Sequence, residues 1–172
     1  MADINPAYDK KTLVEAKKSF KLSGNLQLLS FLSPKGLEHF KHLKFSRFFV
    51  PEEFSYSSAK APAVKELQSA LQNLTGKKFT FSVLKFEHGD YTVLNDDLKP
   101  SKGIAVMLDL SDFDELWGGY TSFMKGDEEI FRVVAKQNSL TLVSQSGLKS
   151  FTKYVNHHAQ NSRIFLYGAQ QK

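Results

Sequence analysis

The sequence contains no cysteine among its 172 residues, which excludes disulfide bonds and thiolate metal ligands. It also lacks a run of about 18 apolar residues, the length that a membrane-spanning helix requires. The segment from Met1 to Lys11 is polar and has no apolar centre of the kind found in secretory signals. These absences predict a protein of the reducing cytoplasm that has no membrane partner.

The sequence has a single tryptophan but fifteen phenylalanines, which predict an aromatic core or a lined cavity. Its 41% hydrophobic and 24% charged residues are typical of a globular protein, and the length fits one domain spanning residues 1–172. The formal net charge of +5 is compatible with an anionic partner. No arginine-rich run and no known nucleic-acid motif accompanies that charge.

The first half of the chain has helical patterns. Residues 1–9 indicate a flexible tail, and residues 10–76 indicate a helical support with one strand region. The predicted helices are Thr12–Phe20, a helix that starts at Ser33-Pro34 and continues through Leu37, Phe40 and Leu43, and Ala61–Leu74. Gly76 follows the last of these helices, in the usual position just beyond a final turn. The strand region is Lys44–Tyr56, interrupted at Pro51.

The second half, residues 77–170, has the pattern of short strands separated by turns. The predicted strands are Phe79–Phe86, Tyr91–Leu94, Gly103–Leu110, Tyr120–Met124, Ile130–Val134, Leu140–Val143, Phe151–Val155 and Arg163–Tyr167. Consecutive strands without intervening helices favour an antiparallel sandwich or barrel, with the helices of the first half against one face.

Five segments of this half resemble, in order, the prolyl-hydroxylase-like oxygenases that depend on 2-oxoglutarate and Fe(II). They are Gly89-Asp90-Tyr91 leading to Asn95-Asp96-Asp97, the strand region Lys99–Leu110, Trp117-Gly118-Gly119-Tyr120, Asn138-Ser139-Leu140-Thr141-Leu142, and Arg163-Ile164-Phe165-Leu166-Tyr167-Gly168. The resemblance covers about residues 77–168. It implies a mainly β, α+β fold, a double-stranded β-helix of the jelly-roll or cupin-like kind, with supporting N-terminal helices.

The resemblance also implies that the metal triad is degenerate. Oxygenases of this kind hold Fe(II) with two histidines and one carboxylate, and the first two ligands form a His-x-Asp motif on one strand. Asn95 stands at the histidine position and Asp97 at the carboxylate position. The position of the distal histidine falls near Ser150 or Phe151, and neither residue is a competent iron ligand.

The predicted cosubstrate pocket also departs from the pattern of the family. The resemblance implies that Arg163 binds the carboxylate of 2-oxoglutarate through its planar guanidinium, although a structural ion pair is an equal alternative for this residue. Phe165 stands where the family often has a small hydroxyl residue. Phe86 lies near the place of a hydroxyl group that helps to bind the cosubstrate.

An alternative ligand set is present in the sequence. His88-Gly89-Asp90 has the His-x-Asp spacing, and His157 or His158 could supply the distal ligand. Gly89 indicates a turn, however, and a turn would not hold two ligands on one side as a strand does.

Three functions remain open. The first is an inactive oxygenase-like domain, a pseudoenzyme that acts as a binding or scaffold module for a protein or peptide and requires no cofactor. The second is an active protein hydroxylase, a dioxygenase that uses Fe(II) and 2-oxoglutarate with the displaced ligand set. The third is a basic module that binds nucleic acid or an acidic protein through Lys10, Lys11, Lys17, Lys18 and Lys21.

Overall fold

The structure, a computed structural model, describes residues 3–94 and 102–170, so that Asn95 and Asp97 lie outside the described residues. Its helices are α1 Lys10–Ser23, α2 Pro34–Glu38 and α3 Lys65–Thr75. Its strands are β1 Asn25–Leu28, β2 Ser46–Val50, β3 Phe54–Lys60, β4 Phe79–Phe86, β5 Tyr91–Thr92, β6 Ile104–Asp109, β7 Thr121–Lys125, β8 Glu128–Val133, β9 Ser139–Ser144, β10 Lys149–Thr152 and β11 Arg163–Gln170.

The strands form two sheets, and every strand pair within the described residues is antiparallel. The larger sheet has eight strands in the order β1-β9-β6-β11-β4-β3-β2, with β5 paired to β3. The smaller sheet has the order β10-β7-β8. The fold is a double-stranded β-helix, as the sequence predicts. After β6 the chain enters the smaller sheet for β7 and β8, returns to the larger sheet for β9, and crosses once more for β10 before β11.

Each face of the larger sheet has its own hydrophobic core, since successive residues of a strand point to opposite faces. Val106 and Leu108 of β6 pack in the core beneath the helices. Ala105 and Met107 of the same strand pack in the core that faces the smaller sheet, together with Phe123. This second core contains the candidate site.

The helices cover one face of the larger sheet. Helix α1 begins with the side chain of Asp9 accepting a hydrogen bond from the backbone of Thr12, and it ends at Gly24 in the left-handed conformation. Helix α3 begins at Lys65 and not at Ala61. Val64 is still extended, and Pro62 disfavours the helical conformation of Ala61, the residue before it.

Helix α2 ends at Glu38, earlier than the spacing of Leu37, Phe40 and Leu43 predicts. The backbone amides of Phe40 and Lys41 donate to the carbonyls three residues earlier, so the chain continues in tighter turns. The same side chains still pack against the core beneath the helices, so their apolar spacing reflects burial rather than a continuous helix.

The first half also builds part of the larger sheet. Residues 10–76 contribute the three strands β1, β2 and β3, where the sequence pattern indicated one strand region. Strands β2 and β3 are joined by a turn at Pro51, the interruption that the sequence predicts. None of the described helices has the length and hydrophobicity needed to span a membrane.

Candidate functional site

A cavity of about 160 Å³ lies between the two sheets. Three positions that the resemblance assigns to the cofactor pocket, namely Phe86, Ser150 and Phe165, contribute to its wall. The other wall residues are Tyr56, Leu84, Thr92, Met107, Thr121, Phe151, Thr152 and Tyr167. This described wall includes no histidine and no carboxylate, and the volume is below the roughly 300 Å³ at which small-molecule pockets begin.

Aromatic rings fill the space beside this cavity. The rings of Phe86 and Phe165 stack with their centroids 5.8 Å apart and their planes 7° apart. Tyr56 lies against the other side of Phe86 at 5.7 Å. Phe86 and Phe165 are both buried. Phe86 and Phe165, the two positions at which the sequence departs from the family's cosubstrate pocket, are therefore in contact, and their rings narrow the pocket.

Arg163, the candidate residue for 2-oxoglutarate, lies at the start of β11 and is completely buried. Its Nε and Nη2 atoms each donate to Oδ1 of Asp109 at 3.1 Å. Its Nη1 atom donates to the Gly119 carbonyl and to the Thr121 hydroxyl. Four of its five N–H groups therefore have acceptors inside the protein, and its guanidinium lies 4.5 Å from the centre of the Phe165 ring.

Asp109, at the end of β6, neutralises Arg163 within the core. Burial raises the pKa of Asp109 to about 6, while the neighbouring Arg163 acts in the opposite direction. Its second oxygen, Oδ2, has no hydrogen-bond partner among the described residues. Asp109 is therefore a buried carboxylate whose negative charge is balanced by Arg163 alone among the described residues.

Ser150, the candidate for the distal metal position, lies in β10 opposite Phe123 of β7. It lines the cavity between the sheets. The two other positions of the degenerate triad, Asn95 and Asp97, belong to the part of the chain that is not described. Arg163 lies against Phe165 of the same cavity wall, and its guanidinium is paired with Asp109.

The structure does not bring the alternative ligands together. The described residues contain no group of three histidine, aspartate or glutamate side chains able to hold a metal ion. His88 is exposed in a turn, and His157 is exposed, with its ring centroid 3.9 Å from that of His158 and the two ring planes tilted by 42°. Asp90 is fully buried and points elsewhere.

Asp90 ties the turn after β4 to the strands β2 and β3. Its carboxylate accepts hydrogen bonds from Arg47 at 2.8 Å, from the Ser55 hydroxyl at 2.8 Å and from the backbone amide of Glu87 at 2.8 Å. The conformation at Gly89 is left-handed, which favours glycine. The Gly-Asp-Tyr motif thus has a structural role that does not depend on a metal.

The Gly-Gly motif also has a structural role. Gly118 has a left-handed φ of 81°, and a Cβ placed there would lie 2.0 Å from the Tyr154 carbonyl oxygen. The amide of Gly119 donates to Lys153, and its carbonyl accepts from Arg163. The close approach of these backbones positions the acceptor that Arg163 uses.

Sequence reasoning missed Asp109 and Arg47, the two ionic partners that decide the roles of Arg163 and Asp90. A signal for Asp109 was present, because this carboxylate ends the apolar run of β6. A charge in such a position is rarely buried unless it is paired. The identity of its partner could not be read from the sequence, since 54 positions separate Asp109 from Arg163.

Comparisons with known proteins agree with this fold. Residues 51–170 match the family described as oxoglutarate and iron-dependent oxygenase degradation C-term. No curated protein sequence matched the chain.

Similar solved structures include a prolyl-4-hydroxylase from Pseudomonas putida, with a TM-score of 0.66 and 14% identity over 93% of this chain and 98% of that one. A prolyl hydroxylase from Trichoplax adhaerens, in complex with a peptide fragment of the hypoxia inducible factor oxygen degradation domain, has a TM-score of 0.66 and 10% identity over 93% and 89%. An oxygenase of the 2-oxoglutarate and Fe(II) family from Burkholderia pseudomallei has a TM-score of 0.63 and 9% identity over 93% and 91%.

At these identities the solved structures establish the fold alone, whereas the family match covers most of the chain. The chain belongs to the oxoglutarate and iron-dependent oxygenase degradation C-terminal family, within the superfamily of 2-oxoglutarate and Fe(II) oxygenases.

Proposed function

We propose that this chain is a catalytically silent oxygenase-like domain that acts as a binding or scaffold module. The ion pair of Arg163 with Asp109 carries this proposal. A residue that binds 2-oxoglutarate must offer its guanidinium to a carboxylate from solvent. Here an internal carboxylate takes that place, and the carbonyl of Gly119 and the hydroxyl of Thr121 accept two of the remaining donors.

The donor set does not fit Fe(II) either. A facial site needs imidazole and carboxylate ligands on one side. Ser150 offers only a hydroxyl group, and the amide of Asn95 is a much weaker ligand than imidazole. Of the three positions only Asp97 retains a competent group, and a single carboxylate does not hold Fe(II) beside a cosubstrate.

Titration calorimetry tests this proposal. The protein is titrated with Mn(II), with anaerobic Fe(II), and with 2-oxoglutarate in the presence of each metal, and an active oxygenase serves as the positive control. We expect no saturable binding of 2-oxoglutarate and no succinate when oxygen is admitted. Tight binding of both metal and 2-oxoglutarate, with succinate formed, would overturn the proposal.

The displaced ligand set remains a separate proposal for an active hydroxylase. If a preparation does form succinate, substitution His88→Ala distinguishes the two possible sites. Loss of turnover would assign the activity to His88, Asp90 and His157, whereas unchanged turnover would remove that set.

A second candidate function is the binding of nucleic acid by the helical face, and the charge distribution favours it. Residues 10–23 and 65–78 hold eight lysines and two glutamates, a net charge of +6, whereas the whole chain carries +5. The positive charge therefore lies on the layer of α1 and α3, and the rest of the chain is close to neutral. Lys17 donates to the Asn73 carbonyl, which joins these two helices.

Fluorescence anisotropy with labelled single-stranded and duplex oligonucleotides tests this candidate. We expect binding that weakens steeply with salt, because the lysines would release counterions from the phosphates. Replacement of Lys10, Lys11, Lys18 and Lys21 by Gln should reduce both affinity and salt slope. The matched control replaces Lys44, Lys125, Lys136 and Lys153 by Gln, which changes the net charge equally. Equal losses in both variants would remove the helical face as a site.

We also propose a cytoplasmic location, which the absence of cysteine supports.

A further inference from the structure

Helices α1 and α3 contact each other, and a groove runs between them on the surface of the protein. Two clefts form this groove, one of about 260 Å³ and one of about 290 Å³. Leu13 of α1 and Asn73 of α3 line both clefts, so the clefts meet. Lys17 joins the two helices at this point, because its side chain donates a hydrogen bond to the Asn73 carbonyl at 2.9 Å.

Apolar side chains of both helices line the groove. Leu13 and Val14 come from α1, and Ala70 comes from α3. Val14 is 47% exposed, whereas Ala16 and Phe20 of the same helix are buried in the core. The groove therefore contains apolar surface that the fold itself does not bury.

The side chains with which α3 borders the groove are short. Ser69, Ala70 and Asn73 recur along the helix at intervals of three and four residues, so they lie on one side of it. Short side chains at a contact allow two helix axes to approach closely. Helix α3 has 11 residues, and a partner helix of about three turns would match its length.

Lysines border the same groove. Lys10 and Lys17 of α1 and Lys65 of α3 line its clefts. Neither Lys10 nor Lys65 forms a salt bridge within the described part of the chain. The carboxylate of Glu66, which also lines the groove, accepts hydrogen bonds from two backbone amides of the N-terminal segment. Positive charge thus surrounds the apolar side chains.

We propose that this groove binds an amphipathic α-helix of a partner protein, with leucine-like residues on one face and glutamate or aspartate on both sides of that face. The apolar face covers Leu13 and Val14, as in other complexes in which a helix occupies a groove. The acidic residues pair with Lys10 and Lys65. This inference rests on the proposal that the domain is a binding module, and it adds the chemistry of the partner.

The groove favours a protein helix over nucleic acid, the other candidate for this face. Proteins that bind single strands offer exposed aromatic rings for base stacking. Tyr8 is the aromatic residue among the described residues that line the groove, and its hydroxyl donates to the Leu29 carbonyl. Its ring centroid lies 5.1 Å from that of Phe31, so the ring packs within the fold. Phosphates, moreover, make no use of an apolar side chain such as Val14.

Fluorescence anisotropy tests this proposal with a labelled, designed peptide of about four helical turns. The peptide has leucines at intervals of three and four residues and glutamates on both sides of them. One matched peptide replaces every leucine by serine, and a second replaces every glutamate by glutamine. We expect the acidic amphipathic peptide to bind saturably and both matched peptides to bind about 10-fold more weakly or worse, because each lacks one of the two interactions.

Val14→Ser tests the apolar part of the groove. It should weaken binding of the acidic amphipathic peptide about 5-fold, since the peptide no longer buries the valine side chain. Leu22→Ser is the matched control, because Leu22 is 90% exposed on the same helix and is not among the residues that line the groove. This control should bind as tightly as the unmodified chain.

A double variant, Lys10→Glu with Lys65→Glu, tests the charged part of the groove. It should weaken binding about 10-fold or more, because attraction becomes repulsion. The matched control reverses Lys18 and Lys21, which are exposed on α1 without lining the groove, and it should bind nearly as tightly as the unmodified chain. Lys10 and Lys65 are the first residues of their helices, where glutamate is favourable, so the double variant should fold.

Absence of saturable binding of the acidic amphipathic peptide would overturn the proposal. Equal losses in the two double variants would also overturn it, because they would indicate a diffuse attraction of charge. An oligonucleotide that displaces the peptide, together with unchanged binding by Val14→Ser, would assign the face to nucleic acid instead.

An assay for succinate on the same preparation separates this inference from the proposed function. A chain that binds no peptide and forms no succinate would contradict only the helix-binding groove. A chain that binds the peptide and also forms succinate would contradict only the proposal of a catalytically silent domain.

Discussion

Arg163 of β11 and Asp109 of β6 form an ion pair 3.1 Å long in which neither side chain is accessible to solvent. The pair is fully buried, and the guanidinium of Arg163 lies against Phe165 of the cavity between the two sheets. In an oxygenase, an arginine at this position would bind a small dicarboxylate through its guanidinium. In this chain the same group joins the two sheets, because its other acceptors belong to Gly119 and Thr121.

Loss of Arg163 should be far more damaging than loss of an exposed arginine. Arg163→Met leaves Asp109 buried without its cation, for which we expect a loss of about 3–5 kcal/mol in the free energy of unfolding. Arg132→Met is the matched control, since Arg132 pairs with Glu115 and Glu129 at a partly exposed site. There we expect a loss of about 1 kcal/mol or less. Urea unfolding of both variants measures the difference, and similar losses would contradict a buried structural pair.

The stability of the fold should depend on the titration of Asp109. Its pKa is raised from 3.8 to about 6 by burial, so the folded protein favours the protonated carboxyl. That contribution to stability is fully present below 3.8 and is lost as the pH rises through about 6.

Asp109→Asn removes this titration and leaves the other ionisable groups in place. We therefore expect the free energy of unfolding of the unmodified chain, minus that of Asp109→Asn, to fall as the pH rises from below 3.8 to above 6. Urea unfolding at a series of pH values gives this difference. A difference that stayed constant or rose with pH would show that Asp109 is not the titrating group.

Enlarging the pocket should not restore cosubstrate binding. Phe165→Ser places a small hydroxyl residue two positions after Arg163, as the family often has, and should lower stability by about 3–5 kcal/mol through the cavity that it leaves. We expect no binding of 2-oxoglutarate in calorimetry, because Asp109 still holds the guanidinium. Phe165→Leu, a smaller change, serves if the first variant does not fold. Binding of 2-oxoglutarate by either variant would show that the pocket was closed by Phe165 alone.

Two glycines with positive φ should respond very differently to substitution. Gly118→Ala would drive a Cβ into the Tyr154 carbonyl oxygen at 2.0 Å, so the backbone beside Arg163 must move. Gly126→Ala, at φ 59°, meets nothing within 4 Å and adds only the strain of a left-handed residue. We expect a loss of roughly 1–2 kcal/mol at Gly126 and a clearly larger one at Gly118. Thermal unfolding compares the two, and equal losses would mean that the close approach at Gly118 is relaxed elsewhere.

The pattern of the sequence predicted most strands of the second half. The apolar run of β6, for example, is explained by two different cores that bury its alternate residues. Prediction was poorer where burial, and not local periodicity, determined the structure. Leu37, Phe40 and Leu43 kept a helical spacing while the chain formed tighter turns. Strand β1 was not predicted as a strand, because its pairing with β9 connects positions more than 100 residues apart.

The candidate site, too, could be predicted only in part from the sequence. The order of motifs along the chain predicted that Ser150, Phe86 and Phe165 lie near one pocket, and all three line the cavity between the sheets. The role of Arg163 could not be assigned, because the sequence left a carboxylate ligand and a structural ion pair equally open for it. His88 and Asp90 had the His-x-Asp spacing, but His88 and His157 lie exposed outside any three-ligand group in the described structure.

The sequence by itself predicted the fold class and the membership in an oxygenase superfamily, and its resemblance to that superfamily implied the loss of histidine at two metal positions. These properties depend on residue type and on order along the chain, which need no coordinates. Only the tertiary structure decided that Asp109 forms an ion pair with Arg163 and that Arg47 and Ser55 donate hydrogen bonds to Asp90. Such partners come from strands far apart in sequence, and it is the pairing of β11 with β6, and of β2 with β3, that brings them together.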